Sequence, residues 1–347
     1  MTYSIIQADA SAGRAPLLNL WRRNLPRATP ERYAWLYGTG PACTWLAQDD
    51  DGEPIGATGL MTRDLLIHQR LCRAGQAIDL NVDRGQRTMG LALDLQRSVV
   101  ESLSERGLDF VYAIPGKQAA PIQRRVGYQE VGPIDQWTKP LSAEYKLRQL
   151  IKPRLPAKAL AWLMHPWMRW RYGEKSLRNG AHHQPVALSA FDGRFNELWK
   201  HAAPQFAIFG ERSAAYLTWR FHQYPGIVYR IFGLADAAGG LEGYVVYRSE
   251  ANDAVCISDF LFKDQNACTN LIAAFSQQMR QERVQAIHLT FLGPAWLGNQ
   301  LTTLGFCQRA TQDVLLVYAN EESGIDETLL TDRNNWFFTR ADLDVEG

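Results

Sequence analysis

The chain repeats itself once, and that repetition limits its fold more than any other feature. Residues 31–60, ERYAWLYGTGPACTWLAQDDDGEPIGATGL, resemble residues 214–247, AAYLTWRFHQYPGIVYRIFGLADAAGGLEGYVVY. Each segment has a helical stretch ending near a tryptophan (Trp35, Trp219), Gly/Pro punctuation, an alternating strand, an acidic or glycine-rich turn and a second strand. That order predicts a helix followed by a β-hairpin. A second pair, LDFVYAIPGKQAAPIQRRVGYQEVG (108–132) and VQAIHLTFLGPAWLGNQLTTLGFCQRA (284–310), predicts strand, loop, short helix and then Gly-aromatic. The tryptophans lie 184 residues apart and the glycines Gly127 and Gly305 lie 178 apart. A period that long does not suit a solenoid and fits two copies of one domain. At 347 residues the chain also exceeds the usual reach of one hydrophobic core.

The formal net charge of +1 gives no overall steering toward nucleic acid or acidic surfaces. Any electrostatic specialisation is therefore local. Five scattered cysteines with no C-x-x-C pair argue against a disulfide framework or a zinc site and suit a reducing cytoplasm. The adjacent His182 and His183 point apart on an extended segment, so no metal is expected there either. The opening MTYSIIQADASAGRAPLL has no basic region before an apolar core, and no apolar run approaches the roughly 20 residues that span a bilayer. A soluble, cytoplasmic protein is expected.

Between the repeats lies YKLRQLIKPRLPAKALAWLMHPWMRWRYGEKSLR (145–178), with nine Lys or Arg, one Glu and three Trp. Its basic face opposite Trp and Leu suits peripheral membrane contact, and it equally suits a connector whose apolar stripe packs on one domain. No nucleic-acid reader motif accompanies the charge.

Residues 76–104, QAIDLNVDRGQRTMGLALDLQRSVVESLS, carry the most specific chemistry. AIDLNV alternates, with Ile78, Leu80 and Val82 expected on one face of a strand. Leu91, Leu95, Ser98, Val99 and Ser102 then fall on one side of a helix. Arg87-x-x-Gly90-x-Ala92 thus sits at a strand-to-helix junction, where the first-turn N–H groups have no intrahelical partners. A pyrophosphate can take those donors, Gly90 lets it approach the backbone, and Arg87 adds charge.

The block from AIDLNVDRGQRTMGLALDL to PIQRRVGYQEVG resembles the GNAT superfamily of acyl-CoA-dependent N-acyltransferases. That family's signature is a strand, Arg/Gln-x-x-Gly-x-Gly/Ala at a helix start, then a strand, a helix and Gly-Phe/Tyr. The doubled arrangement, with YLTWRF opening the second copy and NNWFFTRADLDV closing the chain, resembles tandem-GNAT proteins linked to exopolysaccharide pathways. The resemblance implies an α/β (α+β) fold of two tandem GNAT-like domains, each a mixed, mostly antiparallel twisted sheet flanked by helices. Residues 1–140 would form the domain with the acyl-CoA loop, 141–185 the basic connector, and 186–347 a domain with a degenerate loop. The resemblance further implies that backbone N–H groups of Arg87, Thr88, Met89, Gly90, Leu91 and Ala92 bind the pyrophosphate of acetyl-CoA or another acyl-CoA. The strand Ile78–Val82 would pair with the pantetheine arm, Leu80, Asn81 and Val82 contacting it, and the amide of Leu80 or Val82 would polarise the thioester carbonyl. No metal takes part, and the acceptor implied is an amino group, for instance on a saccharide of a surface polysaccharide. The oligomeric state stays open.

Three departures qualify that reading. The second copy, ISDFLFKDQNACTNLIAAFSQQM (257–279), has no Arg-x-x-Gly and puts Asp264 where phosphates would approach. The tyrosine that often serves as catalytic acid is replaced by Gln123 in the first copy and Leu301 in the second. The best candidate base is Asp79, which either faces an acceptor cleft or is a solvated or capping carboxylate. Trp219, Arg220, His222 and Tyr224 either line a sugar cleft or pack in the core, and the acidic TRADLDVEG suits a frayed end. FemAB-like aminoacyl transfer and a non-catalytic binding protein are the alternatives to acyl transfer.

Overall fold

The computed structural model describes residues 3–9, 11–25, 28–86, 89–142 and 184–345. The basic stretch 145–178, the His182–His183 pair, Arg87 and Thr88 lie outside the described residues.

The two repeats appear as one series of elements run through twice. The first is β1 (Tyr3–Ala8), α1 (Arg14–Asn24), α2 (Pro30–Tyr33) continuing as a π-helical turn (Ala34–Gly38), β2 (Ala42–Asp49), β3 (Pro54–Ile67), β4 (Arg70–Val82), α3 (Met89–Glu101), β5 (Phe110–Ala113), α4 (Ala120–Val126), β6 (Gln129–Pro133) and β7 (Asp135–Pro140). The second is β8 (Gln184–Leu188), α5 (Gly193–Ala202), a short added strand β9 (Ile208–Gly210), α6 (Ala214–Leu217) with its own π-helical turn (Thr218–His222), β10 (Arg230–Ala235), β11 (Leu241–Glu250), β12 (Ala254–Phe262), α7 (Gln265–Gln281), β13 (Ala286–Leu292), α8 (Ala295–Thr303), β14 (Cys307–Arg309) and β15 (Val314–Ala319). After them come α9 (Glu327–Thr331) and β16 (Trp336–Thr339). Side-chain caps start the paired short helices in the same way. Thr29 accepts from the Arg32 N–H before α2, and Ser213 accepts from the Tyr216 N–H before α6.

Neither repeat completes its own sheet. β15 lies between β5 and β6, with Leu316 opposite both Ala113 and Glu130. β7 lies between β13 and β14, with Trp137 opposite both Leu289 and Gln308. Each repeat thus hands its last strand to the other. A second seam joins β3 to β9, β9 to β16 and β16 to β13. The result is one mixed α/β sheet running through both repeats with helices packed on it. Among the described residues no helix is long and apolar enough to cross a membrane.

The tryptophans that mark the repeat also meet. Trp35 and Trp219 stack with centroids 4.5 Å apart, and Trp35 Nε1 donates to the Trp219 carbonyl at 3.0 Å. Tyr224 packs edge-on against Trp35, and Arg220, itself fully buried, lies over the Tyr224 ring. This cluster therefore belongs to the packed seam between repeats.

Within the acidic stretch near the end, expected to fray, Thr339, Ala341, Asp342 and Asp344 are buried instead. Asp342 and Asp344 are only 2% and 6% exposed, because buried guanidinium groups require carboxylates beside them. Arg212 reaches Asp259 at 3.1 Å and Asp342 at 2.5 Å with no exposure of its own, and Arg63 reaches Asp342 at 3.1 Å. Removing one partner from such a buried group strands uncompensated charge at a cost of about 3–5 kcal/mol. Arg212→Ala should lower unfolding free energy by about that amount in a denaturant titration, whereas Arg194→Ala, at the exposed Asp192 pair, should change it by about 1 kcal/mol or less.

Candidate active site

Strand β4 diverges from β5 after a short run of pairing. The two pair in parallel only at Ala74, Gly75 and Gln76, whereas β4 continues to Val82. The segment Ala77–Val82 therefore borders an opening in the sheet. On its other edge β4 pairs with β3 through a register shift that sets Asp79 and Leu80 opposite Thr58. This is a β-bulge, and Asp79 adopts the left-handed φ of +54° that it needs, a conformation aspartate tolerates better than most residues.

The bulge overturns the expected alternation. Ile78 packs with Trp35, Tyr37 and Met61, while Leu80 and Val82 pack with Leu91, Leu95 and Val99 on the α3 side. One inserted residue switches every later side chain to the opposite face, so Ile78 does not share a face with Leu80 and Val82. The Asp83 N–H donates to the Ile55 carbonyl on β3, and strand alternation turns the Val82 N–H the other way, toward the opening.

Helix α3 begins at Met89, beside that opening. Gly90 is exposed, and a Cβ there would meet no heavy atom within 4 Å. Leu91, Leu95 and Val99 are nearly fully buried and hold the helix on the sheet. The turn Arg84–Gln86 leads into this helix and borders a depression of about 490 Å³ that Arg23, Glu53 and Asp83 also line. Among the described residues, the first turn of α3 is exposed at Gly90, and first-turn N–H groups are the ones a helix leaves without intrahelical partners.

The equivalent place in the second repeat is closed twice over. Asp264 caps α7, its carboxylate accepting the Ala267 N–H at 2.9 Å, so a fixed anion already occupies the helix start. Beyond Ile257, where β12 and β13 stop pairing, β16 pairs with β13 at Phe291 and Leu292. Because β7 covers the other edge of β13 as far as Phe291, β16 fills the gap on the β12 side.

Asp79 neither faces an open cleft nor lies in solvent. Its Oδ2 accepts from Arg32 Nη1 at 3.0 Å and from the Tyr37 hydroxyl at 2.8 Å, with 8% of the side chain exposed. Arg32 Nη2 extends to Asp344 Oδ2 at 2.5 Å, and Gln76 Nε2 donates to Asp344 Oδ1 at 2.9 Å. Burial pushes the Asp344 carboxyl up, with the charge of Asp79 adding to it against the pull of Arg32. The second repeat repeats this arrangement. Asp259, on β12, accepts from the Tyr244 hydroxyl at 2.6 Å and pairs with Arg212. Burial likewise raises the Asp259 carboxyl and holds the Tyr37 and Tyr244 hydroxyls well above the usual tyrosine range.

At the position of the missing tyrosine, Gln123 is buried and donates to Gln96 Oε1 at 3.1 Å. Gln96 in turn donates to the Thr58 hydroxyl at 2.8 Å, opposite the bulge. Leu301 is wholly buried. Sequence reasoning found Asp79 but missed Arg32, Tyr37, Gln76 and Asp344. One signal was available: AIDLNV and ISDFLF place Asp79 and Asp259 at the same point of equivalent strands.

No protein-family model and no curated protein matches the chain. Solved structures do. A conserved protein of unknown function from Enterococcus faecalis V583, described as a probable N-acyltransferase, superposes with a TM-score of 0.67 at 13% identity over 93% of this chain and 73% of that one. A GCN5-related N-acetyltransferase from Anabaena variabilis gives 0.65 at 13% identity over 92% and 74% of the two chains. Eis1 from Mycobacterium abscessus gives 0.59 at 14% identity over 95% and 76%. The chain thus has the fold of GCN5-related N-acetyltransferases.

Proposed function

We propose that the chain transfers an acyl group from an acyl-CoA, acetyl-CoA being the simplest, to an amino group, and that the first repeat carries the site. The opening beside Ala77–Val82, with the exposed Gly90 at the start of α3, carries this reading. Bound acyl-CoA supplies the activated acyl group, a thioester whose thiolate departs as the amine nitrogen bonds to the carbonyl carbon. The amides from Arg87 to Ala92 would hold its pyrophosphate, since Gly90 leaves the approach clear. The edge of β4 turned toward the opening would pair with the amide-bearing arm as an added strand does. The Leu80 or Val82 amide would stabilise charge that develops on the carbonyl oxygen only in the transition state. A thiolate needs little help to leave, its conjugate acid having a pKa near about 8.5, so Gln123 in place of a tyrosine does not forbid turnover.

An amino sugar of a surface polysaccharide, or of its precursor, is the acceptor proposed on sequence resemblance. FemAB-like aminoacyl transfer has no need of a pyrophosphate site, and the uncovered Gly90 favours acyl-CoA over it. A binding protein without turnover is the second reading, favoured by Gln123 and its engagement with Gln96.

A ligand present at 100 times its Kd adds about 2.7 kcal/mol of stability. Acetyl-CoA should therefore raise the melting temperature of the wild type, and Gly90→Glu, which sets a carboxylate at the helix start, should abolish the shift. A melt indifferent to acetyl-CoA, free CoA and longer acyl-CoAs would remove the acyltransferase reading. Calorimetric titration should return one acyl-CoA per chain, because Asp264 and β16 close the second place; two equivalent sites would contradict that assignment.

A further inference from the structure

Buried polar side chains from three elements form one hydrogen-bonded line that ends on the bulge. Gln123 on α4 donates to Gln96 on α3 at 3.1 Å, and Gln96 donates to the Thr58 hydroxyl on β3 at 2.8 Å. That hydroxyl donates in turn to the Ile78 carbonyl on β4 at 3.4 Å. Thr58 and Gln96 are wholly buried and Gln123 nearly so. A hydroxyl has one hydrogen, and with that hydrogen on Ile78, Thr58 accepts from Gln96 and Gln96 accepts from Gln123. On the other side of the bulge, Asn81 Nδ2 donates to the Asp79 carbonyl at 2.7 Å. The main-chain carbonyls before and after the Asp79 Cα are therefore both held by side chains.

The second repeat shows that packing alone does not call for such a line. Val245 and Leu301 stand at the places of Thr58 and Gln123, and both are wholly buried. Replacing paired polar groups by apolar ones of similar shape is nearly neutral for stability, so aliphatic packing would have served the first repeat as well. The second bulge is also of another kind, for no residue of β12 takes the left-handed conformation that Asp79 has. A residue in a sparsely populated conformation persists only where its surroundings over-determine it. The relay and the left-handed bulge occur together, in the repeat whose β4 borders the opening. That bulge sets the phase of the strand. Without the extra residue, the amides of Leu80 and Val82 would turn to the opposite edge.

We propose that Thr58, Gln96, Gln123 and Asn81 are positioning residues that lock the bulge at Asp79, so that the amide assigned to the thioester carbonyl keeps its facing. The residue standing where a tyrosine acid is missing thus acts through the main chain of β4. This rests on the acyl-transfer reading.

The test is infrared difference spectroscopy of carbonyl-labelled acetyl-CoA bound to the full chain. A hydrogen bond lowers the carbonyl stretch, so the wild type should show a bound band below that of free acetyl-CoA. Thr58→Val and Gln123→Leu, which install the second repeat's residues, should each lose most of that displacement, whereas Thr58→Ser, which keeps the hydroxyl, should retain it. Affinity for free CoA should stay unchanged in all three, which a general loss of structure would not allow. An undisplaced band in the wild type, or a displacement that survives both Thr58→Val and Gln123→Leu, overturns the proposal. If Thr58→Val does not fold, Gln123→Leu decides alone. Failure of the wild type to bind acetyl-CoA or CoA would instead remove the acyl-transfer reading, so the two failures are distinguishable.

Discussion

Reciprocal exchange of β7 and β15 is the constraint on which the molecule rests. A sheet that lacks an inner strand exposes two rows of main-chain donors and acceptors, and each row must be paired or solvated. Here each repeat supplies the strand the other lacks, so neither sheet is complete alone. The Trp35–Trp219 stack and the β3–β9–β16–β13 seam then act on two bodies already held together. The rigid frame lets β4 part from β5 without the sheet falling open.

The two repeats part their sheets at the same point and treat the gap differently. The second is filled by β16 and its helix start is capped by Asp264. In the first, among the described residues, Gly90 at the helix start is exposed and no strand pairs with β4 on the β5 side beyond Gln76. Thr339, the last residue of β16, donates to Asp259 Oδ1 at 2.6 Å, so the segment that closes the second opening also satisfies the bulge carboxylate beneath it. Asp344, a few residues further on, crosses to the first repeat and meets Arg32 and Gln76 there. One stretch of chain thus seals one opening and joins the buried ionic cluster of the other repeat.

Much of the fold was legible in the sequence because it depends on local pattern. The matched helix-hairpin segments, the buried face of α3 through Leu91, Leu95 and Val99, and the Gly-aromatic turn at Gly127 all follow from periodicity or from a backbone that demands glycine, as the φ of +121° at Gly127 does. The exchange of β7 was not legible, since equivalent strands fit either sheet equally well by hydrophobic pattern. The bulge at Asp79 was not legible either, since one inserted residue leaves composition unchanged yet sends Leu80 and Val82 to the face opposite Ile78. RADLDV reads as a polar tail until its partners, Arg32, Arg63 and Arg212, are known to be buried far away in sequence. Of the candidate site, the strand-to-helix junction at Gly90 was visible, and the guanidinium that gathers two carboxylates was not.

The same exchange sets an order of events during synthesis. After β6 has left the ribosome, β5 and β6 wait for a strand that begins roughly 180 residues later, which at about 5–20 residues per second means about 10–40 s with facing edges unpaired. The nearest substitute is the nascent chain's own β7, whose native place is elsewhere, so the first repeat can close prematurely on itself. For this polypeptide the kinetic hazard is self-completion of one half, and slowing translation between the repeats would aggravate it.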